Sequence, residues 1–313
     1  MIVDLIPDED QSAIEDTIVS FLADVLPVER LRDAANHGGA AEAAVWGQLC
    51  ELGLFGLGLS EDQGGLGLGL PEEALVARAL GRHLVSPSVL AQLCAPHLAT
   101  EESVRDALIA GEARAAFGIA EGYVLDGADA QWVVVIGPGG ALLRARGDLT
   151  LASTDGGLDH TLLFERIEGG AGNAQPALRI EVLVAAYLVG IAQATTDMAV
   201  EYAKTREQFG QPIGAFQAIK HSCADMVTRA SAADTQTLFA ATVFGAGMDD
   251  AVEAAAARML AKRAALDNAK ANIQTHGGMG FTAECDAHLF LKRAMVMDML
   301  GSDARARRAA LTA

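Results

Sequence analysis

The sequence predicts a mainly α-helical protein with a small β domain, and three observations carry that expectation. Apolar residues recur at three- and four-residue steps in two long regions, one opening the chain and one from Ala177 onward. Between them lie short runs of valine, leucine and aromatic residues, set apart by Gly-Pro-Gly-Gly and Asp-Gly-Gly turns. At 313 residues the chain is long enough for two or three packed units around a sizeable core. The predicted organisation is an N-terminal helical domain over 1–114, a reduced β domain over 115–172 and a C-terminal antiparallel four-helix bundle over 173–313.

In chain order, residues 8–25 place Ile14, Ile18, Phe21, Leu22 and Val25 on one helical stripe. Acidic residues fill its first turn, where they suit the helix dipole. A second helix is expected over 40–52, around Val45, Trp46, Leu49 and Leu52. The glycine-dense stretch 52–71 follows, and its Gly64-Gly65 pair and Pro71 mark irregular chain before a third helix at 72–83. Further helices are expected at 87–98 and 101–110, then strands at 115–119, 132–136, 141–144 and 160–164. Long helices are expected at 177–208, 215–246, 249–274 and 284–300, with stops at 209–214 and 277–280.

Composition narrows the function. With 51% hydrophobic and 20% charged residues the chain is globular rather than disordered. The longest apolar run, 182–192, has 11 residues and is too short to span a bilayer. Asp4, Asp8, Glu9 and Asp10 stand where a secretion signal would be basic, so a cytoplasmic location is expected. The net charge of −18 repels nucleic acid, and Arg305, Arg307 and Arg308 read as a solvated helix end. The four cysteines (Cys50, Cys94, Cys223, Cys285) form no C-x-x-C pair, and the seven histidines are dispersed. Reduced thiols and no metal are the expectation.

Glycines after a β-branched strand in VVVIGPGGALL, 133–143, invite a dinucleotide-binding reading. The spacing fails, because the third glycine of G-x-G-x-x-G falls on Leu142 and a strand, not a helix, follows. A β-hairpin is expected instead. The segment 201–220 places Arg206 on the last turn of a long helix, Gln208 and Phe209 at the corner, and Gln217 at the start of the next helix. A guanidinium there can pair bidentately with phosphate, and amides add directional hydrogen bonds. By itself the segment also fits a charged helix end with a turn. Gln274-Thr-His-Gly277-Gly278-Met-Gly280 brings adjacent glycines whose amides can approach an anion, or which simply cap a helix.

Together, TREQFGQPIGAFQAIKH (205–221) and QTHGGMGF (274–281) closely resemble the signature segments of the acyl-CoA dehydrogenase family of flavoproteins. GLGLSEDQGGLGLG (56–69) is similar to that family's G-(V/L)-P-E-E-x-G-G-x-G loop. The resemblance covers most of the chain and is strongest over 177–300. It implies an FAD whose adenosine diphosphate half is held across a subunit boundary, contacted by Arg206, Gln217, Gln274, Gly277 and Gly278, with Gln208 and Phe209 nearby.

The same resemblance exposes departures. The family's glutamate base, in a Tyr-Glu-Gly-Thr motif, corresponds here to Gly301. Members that carry the base on the first bundle helix have it at the position of Ile180. Glu181 is adjacent, but one helical step rotates a side chain by about 100°, so it is expected to face elsewhere. Asp298 and Asp303 are further carboxylates, read as helix-end groups. Of the family's Thr-Glu-Pro stretch only Glu121 is matched, and the hairpin after it is expected to be missing.

Shortened, base-lacking chains of this kind resemble one subunit of heteromeric actinobacterial acyl-CoA dehydrogenases acting on steroid side-chain CoA thioesters. The resemblance implies an α2β2 partner that supplies the base, an acyl-CoA substrate, and an electron-transfer flavoprotein as acceptor. Two alternatives stand beside it: a homomeric enzyme with a displaced carboxylate such as Glu181, and a cofactor-free scaffold.

Overall fold

The computed structural model describes residues 5–119, 122–137, 140–154, 156–168 and 177–301. Asp4, Glu121, Asp303, Arg305, Arg307, Arg308 and the central Pro138-Gly139 of the expected hairpin lie outside them.

Among the described residues the fold is mainly helical, with one six-stranded sheet and a two-stranded hairpin. Helix α1 (Glu9–Val25) opens with a reciprocal cap, in which Asp8 accepts from the Gln11 amide and the Gln11 side chain accepts from the Asp8 amide. The single helix expected over 40–52 is two short ones, α2 (Ala40–Ala44) and α3 (Trp46–Glu51), because Val45 leaves helical geometry between them. α4 (Leu70–Arg82) takes Pro71 into its first turn, where no amide is needed. α5 (Pro87–Cys94) stops short of the expected end because Pro96 cannot donate, and a 3-10 turn (Ala95–Leu98) replaces its last residues. α6 spans Glu102–Ile109.

Among its described residues the β region holds six strands, two more than expected: β1 (Ala115–Ile119), β2 (Tyr123–Leu125), β3 (Trp132–Gly137), β4 (Gly140–Ala145), β5 (Thr150–Ser153) and β6 (Phe164–Glu168). Their order is β4-β3-β1-β2-β6-β5, with β1 and β3 parallel and every other pair antiparallel. The hairpin expected over 133–143 is present as β3 and β4, closing with Gly137 opposite Gly140. The short stretch before Trp132, where the family's hairpin is expected to be missing, holds the three-residue strand β2, which pairs with both β1 and β6. The strand expected over 160–164 starts only at Phe164. Asp159 there folds the chain back on itself, accepting from the Thr161 amide and hydroxyl.

α7 (Leu178–Thr205), α8 (Gln217–Val243) and α9 (Asp250–His276) are the long helices, and α10 (Ala287–Met297) has only 11 residues. α7 is the core of the molecule. It is long and apolar enough to cross a membrane, which the 11-residue run did not suggest, yet 83% of its most apolar window is buried within the chain. α4 crosses it at two glycines: a Cβ on Gly81 would overlap the Tyr187 carbonyl, and one on Gly190 would overlap the Arg78 carbonyl. Buried Arg293 ties the parts together. It pairs with Asp159 at 2.7 Å and donates to the Leu84 and Val85 carbonyls, the Tyr187 hydroxyl and the Thr161 hydroxyl. Such a network satisfies a charge that could not otherwise sit in the core.

Candidate functional site

The chain reverses direction after α7 and again after α8. The C-terminal end of α7, the start of α8 and the C-terminal end of α9 therefore lie at one end of the bundle. Tyr202 and His276 stack there, with ring centroids 4.1 Å apart and planes 25° apart. The seven residues singled out for cofactor binding (Arg206, Gln208, Phe209, Gln217, Gln274, Gly277 and Gly278) all lie at this end, and all are exposed.

The connection from α7 to α8 is a tight hairpin. β7 (Glu207–Gln208) pairs with β8 (Gln211–Pro212), and the Ile213 amide donates to the Arg206 carbonyl at 2.7 Å. Phe209 and Gly210 turn the corner at φ +55° and +78°, a left-handed pair suited to hairpin twist. A non-glycine residue in that region is uncommon, and Phe209 keeps its ring 91% exposed. Its edge meets the Phe216 ring, centroids 6.0 Å apart. The hairpin sits close on α7, because a Cβ on Gly214 would lie 2.9 Å from the Ala203 carbonyl.

α9 ends at Gly277, which has φ +60°. Nothing lies within 4 Å of a Cβ placed on Gly277 or on Gly278. No ion pair engages Arg206 among the described residues. The Gly277 amide caps α9 by donating to the Gln274 carbonyl, so what the glycine pair offers is backbone free of side chains. Together with three exposed glutamines and the exposed Arg206 guanidinium at one end of the bundle, it suits a diphosphate.

Glu181 lies beside Gly301, the residue to which the resemblance assigns the family's glutamate. Its carboxylate lies against Gly301, where an added Cβ would stand 2.7 Å from the Glu181 carboxyl carbon. The cause is Arg258 of α9, fully buried, whose Nε lies 3.3 Å from Glu181 Oε2. Arg258 also donates at 2.7 Å to the Met297 and Leu300 carbonyls, fixing the chain just before Gly301. Glu181 is 4% exposed and Ile180 3%. Asp298 pairs with Lys262 at 2.5 Å, as a helix-end carboxylate does.

Sequence reading missed the buried charges. Arg258 stands among Ala254, Ala257, Ala261 and Ala265, all on the buried stripe of α9, and that spacing was the available signal. Glu73 is likewise fully buried between His97, at 2.8 Å, and Arg179. Asp126 is held by the Ser86 hydroxyl at 2.6 Å and the Leu163 amide at 2.7 Å, and burial pushes its carboxyl up to about 7. Among the described residues, no group of three or more His, Cys, Asp or Glu could hold a metal ion. Among the cavities that lie away from these groups are two of similar size. One, of about 270 Å³, sits between residues 98–101, Trp132 and 141–143; the other, about 260 Å³ and mostly apolar, lies beneath α1 beside Leu54 and Leu66.

Residues 8–108 match the acyl-CoA dehydrogenase N-terminal domain, and residues 169–308 match the acyl-CoA dehydrogenase C-terminal domain. The acyl-CoA dehydrogenase IpdE2 of Mycobacterium tuberculosis is 32% identical over 303 residues, covering 92% of each chain. The acyl-CoA dehydrogenase FadE34 of the same organism is 34% identical over 310 residues, 89% of this chain but only 43% of that protein's length. The fold matches the ChsE4–ChsE5 complex from Mycobacterium tuberculosis at a TM-score of 0.79, 19% identity and 98% coverage of both chains. It matches the Tcur3481–Tcur3483 steroid ACAD at 0.80, 22% identity and 97% coverage of both.

Proposed function

The chain belongs to the acyl-CoA dehydrogenase family, and on that premise we propose that it is a subunit of a heteromeric, FAD-dependent acyl-CoA dehydrogenase that holds the cofactor while a partner supplies the base. The single observation that carries the reading is the state of Glu181. The carboxylate beside Gly301 is 4% exposed and engaged by a fully buried arginine, whereas a general base must come within hydrogen-bond reach of the substrate proton.

FAD, when bound, supplies the hydride acceptor for α,β-dehydrogenation. This chain's part is to bind and orient. The Arg206 guanidinium would pair with the pyrophosphate, and Gly277 and Gly278 would let it come close to the backbone where no side chain intervenes. Gln208, Gln217 and Gln274 add directional hydrogen bonds, and the exposed Phe209 ring offers an apolar face to the nucleotide or the neighbouring subunit. We take the chain as three domains, 1–114, 115–172 and 173–313, with the binding groups on the third.

The partner is a second acyl-CoA dehydrogenase chain, in an α2β2 assembly within the cytoplasm, with an electron-transfer flavoprotein as acceptor. Likeness to the ChsE4–ChsE5 complex and to a steroid ACAD of two named components supports the hetero-oligomer and a steroid side-chain CoA thioester as substrate. The contact of Glu181 with Gly301 favours one competing reading, a homomeric enzyme with a displaced base.

Co-expression with the dehydrogenase encoded beside it tests the proposal. One complex containing FAD and both chains is expected. A homogeneous yellow protein from this chain alone, oxidising acyl-CoA with ferrocenium as acceptor, overturns it.

A further inference from the structure

Glu181, Arg258 and Gly301 form a unit that the cofactor-holding role does not use. Glu181 comes from the first turn of α7, Arg258 from the buried stripe of α9, and Gly301 from the chain after α10. A carboxyl group and a guanidinium, both at least nine-tenths buried, are costly to hold in a core unless they are paired and hydrogen-bonded. This pair is arranged around one point. Arg258 grips the Met297 and Leu300 carbonyls at 2.7 Å each, and both Glu181 carboxylate oxygens crowd the face of Gly301 that would carry a side chain. Gly301 has φ +102°, a conformation that disfavours any side chain there even before the carboxylate is considered.

We propose that the Glu181–Arg258 ion pair is a built-in seal over the position that the resemblance assigns to the family's base, so that no side chain, a glutamate included, can be carried at Gly301. The inference rests on the cofactor-holding reading and extends it. The base is not merely lost; its place is filled by a charge pair that fixes the closing turn. Arg258 is the positioning residue, acting through Glu181 and the two carbonyls rather than on a ligand. Restoring a glutamate at Gly301 would therefore not restore a site, because its Cβ has no room while Glu181 stays.

A double-mutant cycle on the full chain in its complex tests the seal. Gly301→Ala is expected to lower Tm by about 4 °C or more when Glu181 is present, and by clearly less in a Glu181→Ala background. Because Glu181→Ala leaves Arg258 buried without its counter-ion, the cycle is repeated in an Arg258→Met background, which removes the stranded charge. In parallel, Glu181→Gln is expected to leave kcat of the complex, on octanoyl-CoA or a steroid side-chain CoA thioester, within about twofold, where loss of a base costs about a hundredfold or more. If Gly301→Ala costs the same with and without Glu181 in both backgrounds, the seal is wrong, and the cofactor-holding reading stands. If Glu181→Gln lowers kcat a hundredfold with KM unchanged, Glu181 is the base and both readings fall.

Discussion

Gly190 of α7 lies directly against the Arg78 carbonyl of α4, and a Cβ added there would also stand 2.8 Å from the Arg82 amide nitrogen. The two helices meet backbone to backbone, and neither can move apart without opening the most buried stretch of the core. Gly190→Ala is expected to cost about 1–3 kcal/mol through overpacking, lowering Tm by several degrees. Gly147→Ala, at a position with nothing within 4 Å, is the control and should leave Tm unchanged. Differential scanning calorimetry of both variants measures the contrast.

Arg206→Ala removes the exposed guanidinium at the bundle tip without touching a packed group. The FAD content of the purified complex, read from flavin absorbance against protein, should fall tenfold or more under dialysis, in line with loss of a charge-assisted bidentate contact worth about 1.5–3 kcal/mol. Circular dichroism should be unchanged. An unaltered flavin content would remove Arg206 from the binding set.

Arg293→Met strands Asp159 in a buried position and frees five acceptors, among them two carbonyls. Breaking one side of a buried pair costs about 3–5 kcal/mol. Urea denaturation should show that loss, and Asp159→Asn added to Arg293→Met should recover part of it, because the uncompensated charge is then gone.

Asp126 gives a pH dependence whose sign is opposite to the usual carboxylate. Its folded-state value, about 7, lies above the ordinary 3.8 because burial outweighs the Ser86 and Leu163 hydrogen bonds and the field of Arg293. Between those two values the folded state binds more protons than the unfolded state, so this group's contribution falls as pH rises from about 4 to 7. Above that window the full penalty of a buried charge is present. Thermal melts of wild type and Asp126→Asn across pH 4–8 should converge at the acid end, with the variant gaining relative stability toward pH 8. Parallel curves would rule out titration of Asp126.

The long helices were legible because each carries its own period and its own stop, and the Phe209-Gly210 turn and Gly277 are marked in the chain itself. The motif residues at the bundle tip were legible for the same reason: their signal is local. β2 and β5 were not, since three or four residues carry too little alternation and are held by neighbours distant in sequence. The strand expected at 160–164 failed because the environment of Asp159 is set by Arg293, 134 residues away. The surroundings of Glu181 were not legible either: helical rotation gave its direction relative to Ile180, but only the fold shows that α9 brings Arg258 and the turn at Gly301 to meet it.

α7 runs as an apolar spine from which α4, α8, α9 and α10 all hang, with 83% of its most apolar window enclosed. A protease that reached it would first have to dismantle everything around it. Excised fragments lacking α7 would expose its complementary walls and precipitate, so shorter versions of this polypeptide would have to keep that helix whole.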